Sequence, residues 1–250
     1  MIARSSIFWI PTLTLLLGCE TPPPPGPPMP MLPTGNLTTP THPSLGEIER
    51  LDPALDQLIA REAVIEQLAD GFDWAEGPVW VQSAQGEGFV LFSDIPPNKI
   101  YKWSEANGLE DYLQPSGYTG TTLRAGQPGS NGLLLDAQGR LVLCQHGDRR
   151  IARLTTPLNA PQPTYQTVIG AYQGKRFNSP NDGCFDRQGN LYFTDPPYGL
   201  EKRLSDPAKE LSFQGVYLFT KGGDLKLLTD KIAFPNGIAL SPDEQTLYVA

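Results

Sequence analysis

The stretch "PNDGCFDRQGNLYFTD", residues 180–195, sets an Asn before a short apolar strand, then a turn containing Asp, then a second apolar strand. The frame recurs. "SNGLLLDAQGRLVLCQHGDRRIARL" (Ser130 to Leu154) and "PNGIALSPDEQTLYVA" (Pro235 to Ala250) repeat it, and "AEGPVWVQSAQGEGFVLFSD" (Ala75 to Asp94) fits with Glu in the Asn position. The marked residues are Glu76, Asn131, Asn181 and Asn236, spaced by 55, 50 and 55. A period near 50 with several strands per repeat is the signature of a β-propeller blade.

The surrounding texture agrees. From Phe72 onward, apolar runs such as "GFVLFSD", "RLVLCQH", "NLYFTD" and "GVYLFT" alternate with Gly, Asp, Asn and Pro turns, and no long helix interrupts them. This reads as an all-β domain over residues 72–250. In a propeller, equivalent positions on successive blades ring one axis, so the four marked side chains are expected to face each other. A turn role would explain Asn-Gly or Asn-Asp, but not the Glu that replaces Asn in the first repeat.

One carboxylate among neutral amide oxygens is a hard, oxygen-only donor set. It suits Ca²⁺ foremost, with Mg²⁺ or Mn²⁺ as alternatives. Zinc is less favoured, because the chain has two His, of which only His146 falls in the β domain, and no Cys/His cluster. No HExxH, GxSxG or glycine-rich phosphate loop is present. Such a site points to metal-assisted hydrolysis of an ester-like bond.

The N-terminus reads as an export signal. In "MIARSSIFWIPTLTLLLGC", Arg4 precedes an apolar run too short for a mature membrane span. The ending "LLGC" resembles a bacterial lipobox, which makes Cys19 the expected lipidation site. Glu20 after it leans toward an outer-membrane anchor facing the periplasm, with plain secretion as the alternative. Residues 20–46 carry ten of the 26 prolines and read as an extended tether. Residues 47–71 have a loose helical stripe (Leu55, Leu58, Ile59, Val64, Ile65, Leu68) and read as a short helical lead-in, with some strand mixed in.

The formal net charge of −8 argues against a nucleic-acid partner. Cys144 and Cys184 could pair in an exported protein or remain buried thiols. Trp74, Trp80 and Trp103 read as blade-core residues, Asp195 and Asp243 as turn organisers, and Arg149 and Arg150 as strand-end charges.

The pieces "EGPVW", "HGDRRI", "SPND", "TDPPYG" and "FPNGIALSPD", in this order, resemble the gluconolactonase, senescence marker protein and regucalcin family of six-bladed propellers, nearest its bacterial gluconolactonase branch. The resemblance implies a divalent metal on the axis (Ca²⁺, Mg²⁺, Mn²⁺ or Zn²⁺) and hydrolysis of a sugar lactone. Carried over by position, Glu76, Asn181 and Asn236 match metal ligands, and Asn131 and His146 match positions near the substrate. Asp182 and Tyr198 are further substrate-contact candidates. A further Asp, ligand and base in the family, follows a strand like "TLYVA" and is expected beyond Ala250, so no catalytic residue is assigned. From Trp74 there is room for about three and a half blades at ~50 residues each. The sequence therefore reads as the N-terminal part of such a propeller, expected to be inactive or poorly folded alone. A non-catalytic envelope propeller binding a carbohydrate or protein, and a related esterase or phosphotriesterase, are the competing readings.

Overall fold

A computed structural model describes residues 41–83, 86–122 and 124–250, so the expected signal segment, Cys19 and most of the expected tether lie outside the described residues. Two compact units are distinguished, one containing residues 47–64 and one containing residues 42–46 and 65–250.

In the smaller unit the expected helix shrinks to a 3-10 turn, Pro53–Gln57, with Asp52 accepting from the Ala54 N–H at its start. Arg50 ties this turn down, reaching Asp56 Oδ1 at 2.8 Å and the carbonyls of Ile59 and Ala60. Leu58, Ile59 and Val64 are exposed. A short helix draws most of its stability from burying one face; this stripe buries none, so periodicity alone does not carry it into an α-helix. The tether also ends earlier than expected. Ser44 bridges Glu66, Leu45 N–H donates to Ile65 and Gln67 N–H to Pro43, both at 2.8 Å.

The β unit consists of consecutive antiparallel meanders. The first blade is β1 (Ala75–Val81), β2 (Phe89–Asp94), β3 (Lys99–Ser104) and β4 (Gly108–Leu113). The second is β5 (Ser130–Leu135), β6 (Leu141–Gln145), β7 (Arg150–Leu154) and β8 (Tyr165–Ile169). A small hairpin, β9 (Ala171–Tyr172) and β10 (Lys175–Arg176), leads to the third: β11 (Gly183–Phe185), β12 (Leu191–Asp195), β13 (Gly215–Phe219) and β14 (Leu225–Thr229). A further pair, β15 (Ile238–Leu240) and β16 (Leu247–Val249), opens a fourth blade. The inner strands β1, β5, β11 and β15 lie side by side in that order, which is the arrangement of a β-propeller.

Residue patterns follow position in the blade. Strand β6 has a neighbouring blade on both faces, and all of Leu141–Gln145 is buried. Strand β14 is outermost, and Leu225–Thr229 alternates between half-buried and exposed. Leu91, Ile100, Leu133, Leu141, Leu143 and Leu154 join blades one and two. Leu134, Cys144, Ile151, Phe177, Phe193 and Tyr217 join blades two and three. Cys144, buried, and Cys184, half-buried, are free thiols in this structure.

Near the axis the blades touch through backbone. Gly132 N–H donates to the Asn181 carbonyl at 2.7 Å, Ser93 Oγ to the Asn131 carbonyl at 2.8 Å, and Thr194 Oγ1 to the Asn236 carbonyl at 2.7 Å. A Cβ on Gly77, at φ +58°, would lie 2.1 Å from the Asn131 carbonyl oxygen, and one on Gly132 would lie 2.8 Å from that of Asn181. Neither contact can be relieved by moving a side chain. Gly132→Ala is expected to destabilise the protein by roughly 1–3 kcal/mol in urea unfolding. Gly222→Ala, where only Thr220 Oγ1 at 3.7 Å would be met, is expected to be near neutral. Equal effects would contradict this account of the blade contacts.

Candidate metal and substrate site

Inner strands β1 and β5 break register where the marked residues sit, between Glu76 and Val79 and between Ser130 and Leu133. Such bulges turn side chains out of the pleat. With the Asn131, Asn181 and Asn236 carbonyls engaged in joining blades, their side chains remain for the axis. Glu76, Asn131, Asn181, Asp182 and Asn236 line one cavity of about 220 Å³, together with Gly77, Pro78, Leu133 and Gly237. A larger cavity of about 410 Å³ lies at the opposite ends of blades two and three, among the turns around Asp136, Asp186 and Lys221. It shares none of the marked residues. The axial cavity is the candidate site because the repeat-phase polar groups converge there.

Asn181 is 2 % exposed, and its Nδ2 stands 3.4 Å from His146 Nε2. Its Oδ1 is buried and has no hydrogen-bond partner. An orphaned buried amide oxygen costs about 1–3 kcal/mol, and a cation in the cavity would offset that. Glu76 Oε1 accepts from the Trp74 indole N–H at 2.9 Å. Asn131 is buried and Asn236 exposed. Among the described residues no group of three or more His, Cys, Asp or Glu could hold a metal. A metal here must therefore use amide oxygens together with Glu76, and the residues present fit a hard cation of that kind.

Asp182 departs from its repeat partners, since Gly77, Gly132 and Gly237 follow the other marked residues. Its Oδ1 accepts from Gly183 N–H at 2.8 Å and its Oδ2 from Ile238 N–H at 3.1 Å, so it joins blade three to strand β15. Burial pushes its carboxyl up, and the nearby Glu76 charge adds to this, while the two N–H groups oppose it. It borders the cavity while serving as an interblade tie.

His146 and Tyr198 do not line the cavity themselves. His146 directly follows the second strand of its blade, in the turn after Gln145, and is fully buried with its Nε2 against Asn181. Burial, with the Arg124 charge adding, holds its imidazole at about 3, so the ring is neutral. Tyr198 stacks on Phe234 with centroids 6.0 Å apart, and Arg203 lies 5.9 Å over its ring.

The loops entering the inner strands are fastened from below. Asp94 accepts from Asp73 N–H at 3.2 Å and Trp74 N–H at 2.8 Å; Asp195 accepts from Asn178 and Ser179 N–H, both at 2.8 Å. The corresponding positions in blade two include Pro128, which has no N–H to give. Arg149 is buried rather than a strand-end charge, and donates to the Phe177 and Ala208 carbonyls at 2.6 and 2.7 Å. Of the expected core tryptophans, Trp103 is buried, but Trp74 and Trp80 are 55 % and 52 % exposed. Apolar type suggested core for Trp74; its indole N–H instead finds Glu76.

Residues 74–250 match the family described as the SMP-30/Gluconolactonase/LRE-like region. The chain belongs to that family. It is 40% identical over 210 residues to a gluconolactonase of Zymomonas mobilis, covering 83% of this chain and 57% of that protein. The structure of a gluconolactonase from Xanthomonas campestris matches with a TM-score of 0.68 at 34% identity, over 85% of this chain and 66% of that one. A lactonohydrolase of Aspergillus oryzae is 30% identical over 84 residues, 34% of this chain and 19% of its own length. The chain thus spans less than two thirds of these relatives.

Two buried titratable groups beside the site give opposite pH signatures. Burial pushes Asp195 up from 3.8 to about 7, outweighing its two N–H donors, Arg149 and Lys209. The folded state then keeps a proton that the unfolded chain releases, so the Asp195 contribution falls as pH rises from about 4 to 7. His146 is held at about 3 rather than 6.5, so the unfolded chain takes up a proton that the folded state refuses. Its contribution is complete above pH 6.5 and falls as pH drops toward about 3. Over their common window the two slopes oppose each other. Relative to the parent, Asp195→Asn is expected to make stability rise more steeply with pH, and His146→Gln to make it fall. Urea titrations at several pH values read this; parallel profiles for all three proteins would contradict it.

Proposed function

We propose that this protein hydrolyses a sugar lactone with the help of one divalent cation held by Glu76, Asn181 and Asn236, Ca²⁺ foremost. The observation that carries the reading is the axial cavity, where a buried Asn181 oxygen without a donor adjoins the single Glu of the repeat. Family membership supports the lactone as substrate class. When bound, the cation supplies Lewis acidity to a carbonyl oxygen and lowers the pKa of water. In this reading Glu76 provides the negative charge, Asn181 and Asn236 provide neutral oxygens, and Asn131 orients the substrate from the same wall. His146 stays neutral and buttresses the Asn181 amide. Asp182 keeps the wall in register with strand β15.

Hydrolysis of glucono-δ-lactone by the intact protein is the direct assay. Chelation, Glu76→Gln and Asn181→Ala are each expected to lower the rate by roughly a hundredfold or more, without loss of fold by circular dichroism. A folded protein that binds a divalent cation yet hydrolyses no lactone would overturn the reading in favour of a binding propeller.

We also propose that the protein is exported and anchored through a lipid on Cys19, with the proline-rich segment as spacer. The basis is the "LLGC" ending and the proline content of residues 20–46. In a bacterial host the parent is expected in the membrane fraction and Cys19→Ser in the soluble envelope fraction. Identical fractionation of the two would contradict lipidation.

A further inference from the structure

The Trp74 indole is the partner of Glu76 and has no role yet. Its backbone is fixed twice over: Asp94 Oδ1 takes the Trp74 N–H at 2.8 Å, and Asp94 Oδ2 takes the Asp73 N–H at 3.2 Å. Its ring is not spent on a core, being 55 % exposed. Its Nε1–H points to Glu76 Oε1 at 2.9 Å. Glu76 is the one cavity residue of the four-repeat set that carries charge, and it is half-buried on a bulged strand. A glutamate with three rotatable bonds presents its carboxylate poorly unless something fixes it. A donor on one oxygen leaves the other for a ligand, and hydrogen bonds to charged groups are among the stronger ones.

We propose that Trp74 is a positioning residue for the cation site: its indole N–H holds the Glu76 carboxylate so that one oxygen faces the axial cavity, and Asp94 holds Trp74 in place to do so. Trp74 does not touch the substrate or the reacting atoms in this assignment. The proposal rests on the cation site proposed above, and the experiment separates the two.

The chain has four tryptophans, at positions 9, 74, 80 and 103. Trp80, further along β1, gives its Nε1–H to Gln82 at 3.2 Å instead. This makes Trp80→Phe a matched control. The probe is terbium, an oxygen-seeking stand-in for Ca²⁺ whose luminescence is sensitised by a nearby indole. Titration of the intact, metal-free protein is read twice, by calorimetric affinity and by sensitised emission. Loss of the indole donor in Trp74→Phe is expected to weaken terbium binding roughly tenfold and to remove most of the sensitised emission, with an unchanged unfolding midpoint. Trp80→Phe is expected to keep both affinity and emission. Asp94→Asn, which keeps shape but weakens the anchor of Trp74, is expected to fall between. Parent-like affinity in Trp74→Phe overturns the positioning role while leaving the cation site standing. Absence of saturable terbium binding in the parent, or binding unaffected by Glu76→Gln, overturns the cation site and the positioning role together.

Discussion

The structure depends on how closely neighbouring inner strands approach at the axis. Gly77 meets the Asn131 carbonyl and Gly132 meets the Asn181 carbonyl at separations that leave no room for a Cβ. Each contact engages the backbone of a marked residue, through Ser93, Gly132 or Thr194. Those same residues, Asn131, Asn181 and Asn236, line the axial cavity. Blade packing and site construction are thus one event, since an error in blade spacing would move donor atoms as well as backbone.

That coupling explains the composition of the site. Asn serves twice, with its carbonyl in the interblade contact and the same residue lining the axial cavity. Asp182 occupies a position that is Gly in the other repeats and uses its carboxylate to bond the next blade. Asp94 and Asp195 hold the entering loops through pairs of N–H groups. Most acidic groups near the axis are therefore occupied by backbone donors, and Glu76 is the charge left to face a ligand.

The blade count, the all-β class and the convergence of Glu76, Asn131, Asn181 and Asn236 were legible in the sequence because repeat phase maps directly onto angular position around an axis. The depth of each side chain was not. His146 has a chemistry-bearing side chain and a motif context, yet it sits in the turn after a second strand and packs against Asn181. Trp74 reads as core by residue type, but the hydrogen bond that defines it depends on a two-residue spacing to Glu76 that periodicity does not highlight. The stripe of residues 55–68 misled for a different reason: helical spacing was present, but the exposed Leu58, Ile59 and Val64 gain nothing from a helix.

The cation proposed for the axial cavity, among amide oxygens and one carboxylate, is the central claim of this account. The most direct test is anomalous diffraction from crystals of the intact protein grown with Mn²⁺. The account predicts one strong anomalous peak in the axial cavity, bonded to Asn181 Oδ1 and a Glu76 oxygen and absent from crystals of Glu76→Gln. A peak elsewhere on the molecule with none at Asn181, or an Asn181 oxygen bonded only to protein or water at saturating metal, would contradict it.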